Sequence, residues 1–318
     1  MKKETRRLTE CSLLTAIAVV IYLSTLIPGI GFFTILLCCI PSEYITLLYG
    51  LKWGTISSIA ATILIALTVG PLEGIGYLSL FAITGVSLGA LTRRGNSPLV
   101  IIGGSTLAVL GSMLFSVYIV EHVLGLNETW KFFEEMSGYL TSISSYTNQF
   151  WIFTGLNDPS SAEEITTSIQ TAILLKLPIA IFVIISFLIV YGNYVAAAIV
   201  FRRLNIPWED VPNPFTLKAP LWMMPLALLG YIIPDSFFAN GGLLEIVLVN
   251  FLAVAWFYFY LTGFVLMSYA FNYYHVPRLL RLPIMFLLIV PLRLVLIIIA
   301  ATDSLIDIRK LTPSTDIT

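Results

Sequence analysis

The chain has 318 residues, 58% of them hydrophobic and 11% charged, with a mean hydropathy of +0.93. Soluble domains are about half apolar and a quarter charged, so this composition excludes an ordinary water-soluble globular protein. A net charge of −1 leaves no basic surface with which to hold nucleic acid.

Apolar runs long enough to cross a hydrocarbon core of about 30 Å as helix recur along the chain. They predict an all-α fold, a polytopic integral membrane helix bundle of eight to nine transmembrane helices. The first run covers 11–27 and ends at Pro28-Gly29. It follows a charged start, Met-Lys-Lys-Glu-Thr-Arg-Arg, but lacks a small-residue cleavage site, so it reads as an uncleaved first helix. Further runs cover 30–51, broken by Pro41, then 53–69, 71–91 and 99–124. After a polar segment come 169–201, 219–233, 243–271 and a last stretch over 283–302, interrupted by Pro291 and Arg293.

Lysine and arginine in short loops stay on the cytoplasmic side. Lys2, Lys3, Arg6 and Arg7 therefore place the N-terminus in the cytoplasm. Lys52, Arg93, Arg94, Arg202, Arg203, Lys218, Arg278 and Arg281 fall in alternate loops, while the opposite loops carry Lys131. Nine full spans would leave Arg309 and Lys310 outside, whereas a re-entrant turn at Pro291 returns the tail to the cytoplasm; the charge rule favours the second. The expected location is a bacterial cytoplasmic membrane, crossed several times.

Residues 1–204 read as a six-helix membrane domain with an outer loop at 125–168. Residues 205–218, with Pro207, Pro212 and Pro214, form a proline-rich cytoplasmic connector, and 219–318 carry the C-terminal membrane helices and a short tail. The outer loop is acidic and holds the aromatic patches Trp130-Lys131-Phe132-Phe133 and Phe150-Trp151-Ile152-Phe153. Such patches lie flat in a membrane interface as anchors; the alternative is a lid over a substrate site.

Ionisable groups inside spans are expensive and mark functional candidates. Glu43, just after Pro41, reads either as an intramembrane carboxylate or as a helix-end residue near the inner interface. Lys176, two turns into the sixth helix, either contacts a ligand or snorkels to the outer interface. Arg293 reads as structural. Glu73, Asp235 and Glu245 sit at outer helix ends or loops, where solvation is expected.

Small residues at four-residue spacing let membrane helices approach closely. They occur as Gly54 and Ser58 on the third helix, Gly85 and Gly89 on the fourth, and Gly104, Ala108 and Ser112 on the fifth. Cys11, Cys38 and Cys39 form neither a CxxC pair nor a metal spacing and read as core or lipid-facing residues. No P-loop motif and no HExxH is present, and His122 and His275 have no nucleophile at a recognisable spacing. The expectation is a protein that is not an enzyme and carries no cofactor or metal.

The basic start followed by Leu8-Thr9-Glu10-Cys11-Ser12-Leu13-Leu14-Thr15-Ala16-Ile17-Ala18, the Pro41-containing helix and Gly50-Leu51-Lys52-Trp53-Gly54 resemble YybS-like bacterial membrane proteins. So do the glycine-rich fourth helix and the closing Thr302-Asp303-Ser304-Leu305-Ile306-Asp307-Ile308-Arg309-Lys310. More distantly, the first six helices are similar to the substrate-binding S components of energy-coupling-factor transporters, which have both ends inside. That similarity implies a solute taken from the outside and separate coupling-protein and ATPase subunits. The nearest equivalent to their Ala-x-x-x-Ala docking face is Ser12-x-x-x-Ala16.

The resulting expectation is a transport-related membrane protein that binds a small solute from its extracytoplasmic side. Glu43 and Lys176 would supply polar contacts, and Trp151 and Phe153 lid aromatics. Its partners would be membrane lipid, the solute and those subunits, with no nucleic acid. The alternative is a non-transport scaffold that organises envelope or division proteins through its small-residue faces.

Overall fold

A computed structural model describes residues 2–27, 31–126, 178–206, 217–225, 243–289 and 293–306, together with Gly29, Lys131, Trp208 and Val211. The regular elements among these residues are all helical. The chain divides into two compact units, Met1–Thr129 with Phe182–Pro212, and Trp130–Ile181 with Asn213–Thr318.

In the first unit α1 spans Lys2–Thr25, starting well before the apolar run because its charged turns pair with one another. Arg6 Nε lies 2.7 Å from Glu10 Oε1, four residues on. After a helical turn at Gly31–Thr34 and a 3₁₀ turn at Ile35–Leu37 comes α2, Ile40–Tyr49. Pro41 does not kink a long span. It occupies the first turn of α2, where its missing N–H has no intrahelical acceptor to lose.

Gly50, at φ 94°, reverses the chain into α3, Leu51–Thr68, a conformation that favours glycine. Next comes α4, Pro71–Arg93, with a π turn at Leu78–Ala82. Then α5 covers Pro98–Val123 and ends in a second π turn, Ile119–Val123. α6, Pro178–Arg203, gives this unit its residues from Phe182 onward.

Among the described residues the unit has two apolar cores. One gathers Val19 and Tyr22 of α1, Cys38, Cys39, Ala61 and Ile65, with Tyr77 and Phe81 of α4. The Tyr22 and Tyr77 rings meet edge to face at 5.2 Å. The second packs Leu88, Ile101, Ile102 and Val109 against Val190 and Tyr194 of α6. Trp208, from the proline-rich connector, folds onto this core, 5.0 Å from the Phe201 ring and 5.4 Å from that of Tyr194.

In the second unit α7, Leu243–Tyr273, is followed by α8, Arg278–Ile289, and α9, Arg293–Ile306. α7 meets α9 closely at Gly263: a Cβ there would lie 2.7 Å from the Leu296 carbonyl carbon. Arg281 of α8 closes the end of α7. It donates to Asn272 Oδ1 at 2.7 Å and to the Val276 carbonyl at 2.9 Å. Of the run predicted over 219–233, the described part holds a 3₁₀ turn at Leu221–Met223. Residues 290–292, with Pro291, lie outside the described residues, as does the tail from 307.

Six helices among the described residues are long and apolar enough to cross a membrane: α1, α3, α4, α5, α6 and α7. Ile35–Tyr49 and Val295–Ile306 are shorter apolar segments.

Candidate functional site

The site is built on α2. This helix lies against α4 at two glycines: a Cβ on Gly85 would come within 2.6 Å of the Cys39 carbonyl oxygen and 3.1 Å of the Glu43 nitrogen. One on Gly89 would come within 2.6 Å of the Glu43 carbonyl oxygen. On the neighbouring face Gly54 of α3 meets Thr46, where a Cβ would lie 2.9 Å from the threonine Cβ. Any side chain at these glycines would push α2 away.

Arg93 fixes the other end of α2 by donating from Nη1 to the Leu47 carbonyl at 3.1 Å, as a cation at a helix C-terminus does. Tyr49 hydrogen-bonds Glu10 of α1, and the Arg7 guanidinium lies 6.0 Å from the Tyr49 ring centroid. Cations of α1 and α4 thus gather at one end of this unit.

Glu43 lies in the first turn of α2 and is 0% exposed. Neither carboxyl oxygen has a hydrogen-bond partner among the described residues. Its backbone packs beside Gly85 and Gly89 of α4, which encloses the carboxyl within the first unit. Burying a polar group without a partner costs about 1–3 kcal/mol, and more if it is charged.

The first unit also buries several hydroxyls. Ser42, Thr46, Ser58, Thr84 and Ser105 are all buried. The Thr46 hydroxyl returns to the Ser42 carbonyl at 2.7 Å, whereas Ser58 Oγ and Ser105 Oγ have no partner among the described residues. A carboxyl held this way can take a proton, or accept hydrogen bonds from an amine, amide or hydroxyl. No three His, Cys, Asp or Glu side chains come together as metal ligands among the described residues.

The other candidates fall in several places. Lys176, Trp151 and Phe153 lie outside the described residues. Gly104 of α5 faces Leu91, whose Cδ1 would be 2.9 Å from a Cβ there. The Ser112 hydroxyl donates to the Ser79 carbonyl at 3.1 Å. Ala108 is exposed, because α5 buries the neighbouring stripe of Ile101, Ser105 and Val109. Ser12 and Ala16 are exposed along α1.

Two outer acids differ from the sequence expectation. Glu245 is 3% exposed rather than solvated, and half-buried Glu73 accepts from Tyr22 Oη at 2.5 Å. The Tyr22–Glu73 pair carries no sequence signal, since 51 positions separate its members. All three cysteines are buried and free.

A family model described as a predicted membrane protein, DUF2232, matches residues 15–304. The chain belongs to the DUF2232 family. The match runs from within α1 to the last turn of α9 and takes in Glu43 together with Gly54, Gly85 and Gly89. No curated protein and no solved structure matches the chain. With its six long apolar helices, this DUF2232 chain is a multi-pass membrane protein.

Proposed function

We propose that this DUF2232 protein is a transport-related membrane protein that binds a small solute from the extracytoplasmic side and works with separate partner subunits. One observation carries the reading: Glu43 is fully buried, without a hydrogen-bond partner among the described residues, on a short helix that begins within the bundle. Interrupted helices of this kind place substrate and ion sites in membrane transporters. Buried acids in membranes usually serve such sites because their cost must be offset by use. A solute offering an amine or other hydrogen-bond donor would satisfy the carboxyl. Lys176, with Trp151 and Phe153 from the outer loop, would complete the site from the extracytoplasmic side.

The test is native mass spectrometry of the full chain, purified gently from its own membrane, as wild type and as Glu43→Gln. The expected result is a small molecule retained by the wild type and lost from a variant that elutes and melts as the wild type does. A copurifying coupling subunit or ATPase would support the partner assignment. An empty bundle accompanied by envelope proteins would overturn the reading in favour of the scaffold.

A further inference from the structure

On the side of α2 turned away from Gly85 and Gly89, the first unit carries a cavity of about 510 Å³ between α1, α2 and α6. That volume lies within the range of about 300–1,000 Å³ usual for small-molecule sites. Its α1 wall is the stripe Glu10, Leu14, Ile17 and Ile21, and its α2 wall includes Pro41 and Tyr44. The α6 wall is Val200, Phe201 and Leu204. Glu43 is not among the lining residues, so the cavity is separate from the site proposed above.

Three properties define an occupant. The walls are apolar apart from Tyr44 and, at the end toward the start of α1, Glu10. The cavity is open along its length, since Leu13, Ile17 and Leu204 on its rim are 62%, 40% and 56% exposed. From Glu10 to Ile21 the α1 wall measures about 16 Å at 1.5 Å per residue, half of a hydrocarbon core of about 30 Å.

The polar end of the cavity is also the cationic end of the unit. Glu10 is already paired with Arg6 at 2.7 Å and bonded by Tyr49. Arg7 lies one turn before Glu10 on the same helix, and Arg203 adjoins Leu204; both are exposed. A groove one leaflet deep, apolar within and flanked by guanidinium groups at its mouth, complements an amphiphile with one alkyl chain inserted and a negative headgroup outside it.

We infer that this groove is a binding site for an anionic phospholipid of the leaflet on the cationic side, with an acyl chain lying along Leu14, Ile17 and Pro41. Arg7 and Arg203 face the phosphate. The carboxylate of Glu10, held by Arg6 and Tyr49, bounds the groove and keeps the acyl chain clear of the charged end.

Delipidated full-length protein in detergent is offered phosphatidylglycerol, diacylglycerol or inorganic phosphate and examined by native mass spectrometry. One phosphatidylglycerol should be retained, with weaker retention of diacylglycerol and no effect of phosphate. Arg7→Gln and Arg203→Gln should each lower retention about fivefold. Ile17→Trp, which fills the groove from its open side, should abolish it. Leu107→Trp, on the exposed face of α5, should leave it unchanged. Equal retention in Ile17→Trp and wild type overturns the proposal, as does diacylglycerol binding as well as phosphatidylglycerol.

Should Ile17→Trp fail to fold, the wild type decides the matter with a phosphatidylglycerol bearing a photoreactive acyl chain. Labelling concentrated in 13–21 and 200–204 supports the site. Labelling spread evenly over the exposed faces of α3 and α5 excludes it.

Discussion

Ser112 of α5 donates its hydroxyl to the backbone carbonyl of Ser79, 3.1 Å away and within the π turn of α4. A π turn shifts the hydrogen-bond ladder by one residue and leaves a carbonyl in need of a donor, and in the membrane no water can supply it. Ser112→Ala should therefore lower stability by about 1–2 kcal/mol, seen as a reduced melting temperature in detergent. A melting temperature equal to that of wild type would show that another donor serves the carbonyl.

Gly89 allows α2 to lie against α4, with the Glu43 carbonyl 2.6 Å from where a Cβ would stand. That neighbour is backbone and cannot swing aside, so Gly89→Leu should cost about 1–3 kcal/mol or more through overpacking. Gly103→Leu is the control, because nothing lies within 4 Å of its Cβ position. Thermal unfolding of the pair should separate them clearly; similar losses would remove the close approach as the cause.

Glu43→Met replaces an unpartnered carboxyl by an apolar chain of similar length. Removing a buried polar group that lacks a partner should raise stability by about 1–3 kcal/mol, while solute retention disappears. Such opposition between stability and activity is expected of a site maintained for use. A Glu43→Met protein that melts well below the wild type would instead mean that the carboxyl has a structural partner.

Tyr22 and Glu73 form a hydrogen bond to a charged or chargeable acceptor at 2.5 Å. Hydrogen bonds of this class contribute about 1.5–3 kcal/mol. In a double-mutant cycle, Tyr22→Phe and Glu73→Gln should each destabilise the protein, and the double variant should lose less than their sum. Strict additivity would show that the two groups act apart.

Much of the fold was legible because apolar run length maps directly onto helix length in a bilayer. The runs at 53–69 and 71–91 correspond closely to α3 and α4. Local chemistry escaped for identifiable reasons. Pro41 suggested a break within a span, yet a proline is equally at home in a first turn, and only the neighbouring turns reveal which applies. The π turns have no composition of their own. Ala108 lies in a small-residue stripe, but bulkier Ile101 and Val109 set the buried face of α5 one residue away. The burial of Glu43 depended on which partner α2 meets, a long-range fact supplied by Gly85 and Gly89.

The single residue Gly50 between α2 and α3 also bears on how the chain enters a membrane. Ile35–Tyr49 amounts to about 22 Å of helix, short of a hydrocarbon core of about 30 Å, and it carries an acid that partitions poorly. Joined to the longer α3 through Gly50 alone, it is expected to enter the bilayer as one limb of a helical hairpin. The acid would then cross the insertion barrier on the apolarity of its neighbour, and α2 would owe its membrane residence to assembly rather than to its own partitioning.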